Sequence, residues 1–401
     1  MSVLGRVINV DHTGGTISTV EEVPDLTYTF VRSDIGSASW SIPFSHRMGG
    51  KTMLVSSSGP TGFGPKLTDY RIGVSKNNGN TWETVHAGFC AAVGLESDRS
   101  SVVVSGVDWL AWLEQPYRFN AYNSPGRTAA DVAKVWAMQG QQTIIDNLVA
   151  NLWNGNASES VHITTAYEPA VWLDSIPAAY IIIGDNGSVL DHIKNTGSFN
   201  EPYGFEFWMD WNKVLTFASP RRTTYNNAVA NSLGKFSPSE DNLIKASWSN
   251  TGPIATTTIG KGFGLISDPP SIYAPSIAVY RDWWNIREFG QNVKYKGLTT
   301  YQDFLQQITF SVGKHDRNPQ KNLTITIQPE KFTGADFFRN RVGEVIQVDS
   351  ENMFMPYHRI NAYYWIDTQT LASDGVGNWT CTLKLEQAYD AVAMGANQSI
   401  G

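Results

Sequence analysis

At 401 residues the chain has room for roughly two to four domains and a sizeable core. Hydrophobic residues make up 41% and charged residues only 17%, a balance that favours burial of surface in partners. A net charge of −7, with no cluster of Lys and Arg, argues against a protein that works by neutralising phosphates.

Residues 1–105 read as one short strand after another. Segments 26–31, 38–43, 51–56, 69–74 and 101–105 are rich in β-branched and aromatic residues, with turn signals at 57–64 and 77–80. Asn78-Gly79 predicts a type I′ turn, whose two central residues need positive φ. In VDWLAWLEQ, Asp108 caps a short helix with Leu110 and Leu113 inward, and Pro116 ends it. Residues 120–127 form a polar loop. Ile144, Ile145, Leu148, Val149 and Leu152 then follow the 3.6-residue helical period. Val189, Leu190 and Ile193 repeat it after an N-cap at Ser188, with Gly197 as the stop. Phe205, Phe207 and Met209 alternate as a strand, residues 210–213 turn, and 214–217 pair back.

Residues 221–298 read as strand and loop, with KASWSN and IATTTIG as strands. Thr300 and Asp303 make a capping box before the apolar helical face of Tyr301, Phe304, Leu305 and Ile308. Leu323, Ile325 and Ile327 alternate in NLTITIQP, and EVIQV, HRINAYYWIDT and NWTCTLKLEQ continue as strands. The expected fold class is mainly β with α+β inserts. Its domains are β-rich blocks at 1–115 and 316–390, an α+β insert at 116–220 and a mixed β/linker region at 221–315 with a helix near 300–310. Residues 391–401 form a loose tail.

Catalytic patterns are missing. The seven histidines show no HExxH or HxH spacing, residues 59–64 lack the Lys-Ser/Thr of a phosphate loop, and no GxSxG precedes a helix. The expectation is a non-enzyme with no catalytic residue, cofactor or metal. Glu206 and Asp210, beside Phe207, Trp208 and Trp211, are the best candidates for a glycosidase pair. The hairpin explains them more simply, with Glu206 opposite Phe205 and Phe207 and Asp210 opening the turn. Trp109 and Trp112, at i and i+3 on one side of the short helix, are interface candidates, as are Trp283 and Trp284. Sugar-stacking platforms are the alternative use of these rings. Cys90 and Cys381 form no disulfide or CxxC pattern and read as two buried free thiols. The first residues carry no signal-peptide pattern, and the longest apolar stretch, near 176–184, is too short for a bilayer. Synthesis in a cytoplasm, without a membrane span, is expected.

Four segments in order resemble the hub, or minor tail, proteins of tailed phages, above all long-tailed phages (siphoviruses) with Gram-positive hosts. The first is YRIGVSKNNGNTWETVHAGFCAAV followed by SVVVSGVDWLAWLEQPYRF, where Gly106, Asp108, Leu110, Leu113 and Arg118 match the family's pattern. The second is TIIDNLVANLW with GSVLDHIKNTGSFNEPYGFEFWMDWNKVLTFASPRR, similar to the family's insert. The third runs from YRDWWNIREFG to NLTITIQP. The fourth, RVGEVIQV to TCTLKLEQ, is similar to its closing strands. Together they cover most of residues 69–390, and SDIGSASWSIP resembles the family's entry strand.

The resemblance implies a homotrimeric baseplate hub at the tail tip of the virion. Two tail-tube-like β-barrel domains per chain would adapt a sixfold tube to a threefold tip and line the DNA-exit channel. Implied partners are the distal tail or tail-tube protein above, tip or receptor-binding proteins below, and the C-terminus of the tape-measure protein. DNA would be met only in transit. The alternative is a carbohydrate-binding or cell-wall-degrading tip protein.

Overall fold

The computed structural model describes residues 3–11, 16–21, 23, 25–43, 68–95, 101–114, 134–136, 141–154, 162–168, 181–183, 188–198, 205–218, 232–251, 257–262, 271–275, 290–295, 320–354, 359–374 and 377–387. The first part of the chain gives β1 (Leu4–Asp11), β2 (Thr16–Glu21), β3 (Thr27–Val31), β4 (Asp34–Pro43), β5 (Thr68–Ser75), β6 (Glu83–Leu95), β7 (Ser101–Asp108) and α1 (Leu110–Leu113). The middle gives β8 (Lys134–Trp136), α2 (Gln141–Asp146, continued as a π-helical stretch Asn147–Asn154), β9 (Thr164–Glu168), β10 (Ile181–Ile183), α3 (Val189–Ser198), β11 (Glu206–Met209) and β12 (Val214–Ala218). Then come β13 (Lys235–Phe236), β14 (Leu243–Thr251), β15 (Thr257–Gly262), β16 (Ser271–Pro275) and β17 (Gly290–Tyr295). The last strands are β18 (Gln320–Ile327), β19 (Val345–Asp349), β20 (Asn361–Ser373) and β21 (Trp379–Gln387). The strand expected at 51–56, the turn at 57–64, the helix near 300–310 and the tail at 391–401 lie outside the described residues.

The fold is mainly β. Thirteen strands form one large sheet, ordered β14-β18-β21-β20-β3-β4-β7-β6-β5-β1-β2, with β19 attached to β20 and β13 to β19. Every ladder on the main path is antiparallel. The two terminal β blocks are joined where β3 meets β20, from Thr368 opposite Val31 to Ala372 opposite Thr27. Three small sheets, one pairing β8 with β10, one ordered β11-β12-β9 and one ordered β16-β15-β17, complete the described strands.

Strand alternation explains the core. In β18, Leu323, Ile325 and Ile327 are buried, while Thr324 and Thr326 face outward and Thr326 meets Thr382 of β21 at 3.5 Å. The sheet also folds back on itself. Trp379 of β21 donates its Nε1–H to the Val3 carbonyl at 2.9 Å, although β1 stands far from β21 in the strand order. The Tyr28 hydroxyl likewise donates to the Phe338 carbonyl at 3.0 Å. One core therefore contains Val7, Tyr28, Trp40 and Tyr70 together with Ile325, Leu371, Trp379 and Leu383. Among the described residues no ladder closes this sheet into a barrel.

A second core gathers Phe89, Leu110, Leu113, Ile144, Leu148, Ile193, Phe207 and Phe217 around α1, α2, α3 and the β11–β12 hairpin. β6 serves both cores, with Ala87 and Phe89 in the second and Cys90 in the first. Cys90 and Cys381 are buried and free, and burial raises both thiol pKa values. No described helix is long and apolar enough to cross a membrane.

Candidate functional site

The turn between β5 and β6 forms as its residues dictate. Asn78 and Gly79 have φ of 54° and 84°, and Asn80 N–H donates to the Asn77 carbonyl at 3.3 Å. Trp82 follows this turn and borders a cleft of about 620 Å³. The β11–β12 hairpin supplies the facing wall through Trp208 and Trp211, and the loop at 339–340 supplies Arg339 and Asn340. Arg6 lies 4.5 Å over the Trp82 ring and holds it by a cation–π contact. Trp211 is 41% exposed at the hairpin tip. Glu83 is ion-paired with Arg339, so their charges cancel at the cleft edge.

His86 and Asp108 lie deeper in the same cleft. His86 Nδ1 is 3.2 Å from the Tyr70 hydroxyl, and the two rings stack at 5.9 Å. Its Nε2 sits near the Thr29 carbonyl without reaching hydrogen-bond geometry. Burial lowers the imidazole pKa to about 4, and the carbonyl only partly opposes this. Asp108 accepts from Gly36 N–H at 2.7 Å and from Leu110 N–H at 3.0 Å. Burial raises its pKa to about 7 despite those donors. Glycine is required at position 36, because a β-carbon there would stand 2.5 Å from the Thr29 carbonyl and 2.7 Å from Asp108 Oδ2. Asp108 thus starts α1, as its position predicts, and also ties β4 to β7.

Glu206 and Asp210 are separately engaged. Glu206 faces Arg32 at 3.7 Å, and Arg32 also meets Asp367 and Glu386, each at 3.2 Å. Burial works against the Arg32 charge, but Glu206, Glu386 and Asp367 outweigh it and raise the pKa. Asp210 Oδ1 accepts from Asn212 N–H at 2.8 Å and Val214 N–H at 2.9 Å, closing the hairpin turn. Asp210 borders the cleft, whereas Glu206 is turned to Arg32. Among the described residues no group of three His, Cys, Asp or Glu is placed to hold a metal ion.

Trp109 is buried in the second core, and Trp112 is half-buried beside it with ring centroids 4.4 Å apart. Lys213 Nζ lies 5.0 Å from each ring, so the chain's own hairpin meets the pair. Trp283 and Trp284 lie outside the described residues. Trp82 carries no local sequence signal as a site residue, and Trp211 stands out in the sequence only beside the carboxylate pair. A large apolar ring in a tight polar turn is the signal that marks Trp211.

The large sheet ends in β14 on one side and β2 on the other, and among the described residues neither has a second partner strand. Ile244, 49% exposed, sits at the irregularity between Leu243 and Lys245 in β14.

No family model matches the sequence, and no curated protein matches it significantly. Solved structures do match the fold. The tail protein from Neisseria meningitidis MC58 superposes with a TM-score of 0.62 at 11% identity, covering 96% of this chain and 97% of that one. The 43 kDa tail protein of prophage MuSo2 from Shewanella oneidensis gives 0.60 at 12% identity, covering 96% and 98%. Prophage tail protein gp18 from Listeria monocytogenes EGD-e gives 0.52 at 11% identity, covering 99% and 98%. The chain shares the fold of these tail proteins from end to end.

Proposed function

We propose that this chain is a structural, non-enzymatic protein of a phage tail, and that it forms the trimeric hub at the tail's distal end. The observation that carries the reading is the end-to-end likeness to three tail proteins, which spans nearly all of both chains in every case. In this reading residues 1–115 and 316–390 are the two tube-like β units, and three chains offer six of them to a sixfold tube. The regions 116–220 and 221–315 face tip or receptor-binding proteins, and 391–401 is a tail. The distal tail or tube protein and the tape-measure C-terminus are the remaining neighbours, and DNA passes through the central channel. Uncovered strands at the ends of a sheet invite pairing with a neighbour, and ring closure supplies it. Trp112, with Trp109 behind it, and Trp283 and Trp284 serve the subunit or partner interfaces.

The test is native mass spectrometry of the purified chain, alone and with its tail-tube protein, followed by cryo-electron microscopy of the virion. A threefold ring at the tube end is the expected result. A monomer in both preparations, or density elsewhere in the particle, would overturn the hub assignment.

A further inference from the structure

We propose that the cleft between β6, the β11–β12 hairpin and the loop at 339–340 is a binding site for an uncharged saccharide. The inference stands on the cleft itself and does not rest on the hub reading. At about 620 Å³ the cleft falls within the roughly 300–1,000 Å³ typical of small-molecule sites. Its walls carry Trp82, Trp208 and Trp211. Flat indole rings cover the C–H faces of pyranose rings, removing apolar surface from water without demanding a charged partner. Trp82 is held in place by Arg6, so its orientation exists before any ligand arrives. Trp211 stands at the hairpin tip with its ring in water, which an overlying sugar would cover.

The polar groups narrow the ligand class. Glu83 and Arg339 neutralise each other, yet both side chains remain accessible, at 42% and 59%. Their free N–H groups and lone pairs, with the Asn340 amide, suit hydroxyl groups, which donate and accept alike. A phosphate ligand would require an unpaired cation at this rim. Asp210 uses one oxygen for two backbone N–H groups of its own turn. The site binds without cleaving. Glycoside hydrolysis needs two carboxyl groups flanking the bond, but of the three carboxyl groups lining this cleft Glu83 is held by Arg339, Asp210 closes its own turn, and Asp108 is buried with both oxygens on backbone N–H groups.

The intact protein is titrated with triacetylchitotriose, maltotriose and a rhamnose trisaccharide, following tryptophan fluorescence and calorimetric heat. Saturable binding of at least one is expected. Trp211→Ala should weaken it about tenfold or more, roughly the loss of 1.4 kcal/mol, and Arg339→Ala should weaken it as well. Both sites are exposed, so circular dichroism should stay that of the parent. Met353→Ala, at an exposed position outside the cleft, should bind as the parent does. The proposal falls if none of the three sugars binds saturably, or if binding ignores both Trp211→Ala and Arg339→Ala. It also falls if a purified tail partner, and no sugar, quenches Trp211. A monomer that binds sugar would sink the hub reading alone, and a trimer that binds none would sink this one alone.

Discussion

The first core draws Val3 and Leu385 into one cluster, whereas the second draws its buried residues from positions 87–217. In the first, the ladder between β3 and β20 and the hydrogen bond from Trp379 to Val3 pair residues more than 330 positions apart. Such contacts form only after both chain ends are in place, so the large sheet should open as one unit. In the second, α3 packs on α1 and the π-helical stretch, and the β11–β12 hairpin closes within its own few residues. These contacts span shorter stretches of chain than those of the first core, and such a region is expected to open separately and at lower free energy. The first core thus forms a frame, and the second, drawn from positions 87–217, forms an insert packed beside it.

The largest effect should come from cutting the frame. Trp379 is 1% exposed, packs edge-on against Phe338 at 5.3 Å and Tyr28 at 6.1 Å, and bonds to Val3. Trp379→Ala should cost about 3–5 kcal/mol, and Trp379→Phe less, because the ring volume mostly remains. Urea denaturation followed by hydrogen exchange checks this. Protection should fall together in β1, β3, β20 and β21. Loss confined to β21 would show that the chain ends do not share one cooperative core.

Much of the frame was legible in the sequence. β18 alternates cleanly and Asn78-Gly79 forces its turn, and in the insert Phe205, Phe207 and Met209 mark one strand of a hairpin. β1 was harder to read, because Leu4, Val7, Ile8 and Val10 put apolar side chains on both faces and blur the period of two. The joining of β3 to β20 has no local signal, since pairing between distant strands is decided by packing. The cleft was illegible for the same reason. Trp82, Trp211 and Arg339 come from three separate segments, and only the folded sheet assembles them.

A smaller effect tests the junction between the two regions. Asp108 links Gly36 of the frame to α1 of the insert, and its pKa of about 7 exceeds the ordinary 3.8. The folded state therefore holds this proton more tightly, and stability from Asp108 is lost as pH rises from about 4 to about 7. His86 runs the other way. Its pKa of about 4 lies below the ordinary 6.5, so stability is lost as pH falls through that range. The contributions reach about 4 kcal/mol for Asp108 and about 3 kcal/mol for His86, and the two oppose each other between about pH 4 and 6.5. His86→Phe should expose the Asp108 trend, with a melting temperature that falls as pH rises. Asp108→Asn should expose the reverse. Matching pH profiles for parent and both variants would refute this opposition.

Arg32 is the second link between frame and insert, reaching Glu206 on β11, Asp367 on β20 and Glu386 on β21. Arg32→Met leaves three carboxylates without their shared cation and should cost about 2 kcal/mol. The loss should appear as faster hydrogen exchange in β11 and β12, with the frame strands β5 and β6 unchanged. Equal loosening of frame and insert would mean that the two regions open together.

The smallest effect belongs wholly to the insert. Ser188 Oγ accepts from Asp191 N–H at 3.0 Å, while Asp191 Oδ2 accepts from the Ser188 N–H at 3.1 Å and hydroxyl at 2.8 Å. This capping box satisfies donors at the start of α3 that the helix itself leaves unpaired. Ser188→Ala should cost about 1 kcal/mol. Hydrogen bonds from Ser188 lower the Asp191 pKa, so the cap's contribution is present above the ordinary carboxylate range and is lost as pH falls below it. At neutral pH, amide exchange in α3 of the Ser188→Ala protein should rise about fivefold, since 1 kcal/mol shifts an opening equilibrium by that factor. Exchange in β20 and β21 should not move. A change that spread into those strands would mean that α3 is part of the frame, and the division between a cooperative sheet and a separately opening insert would fail.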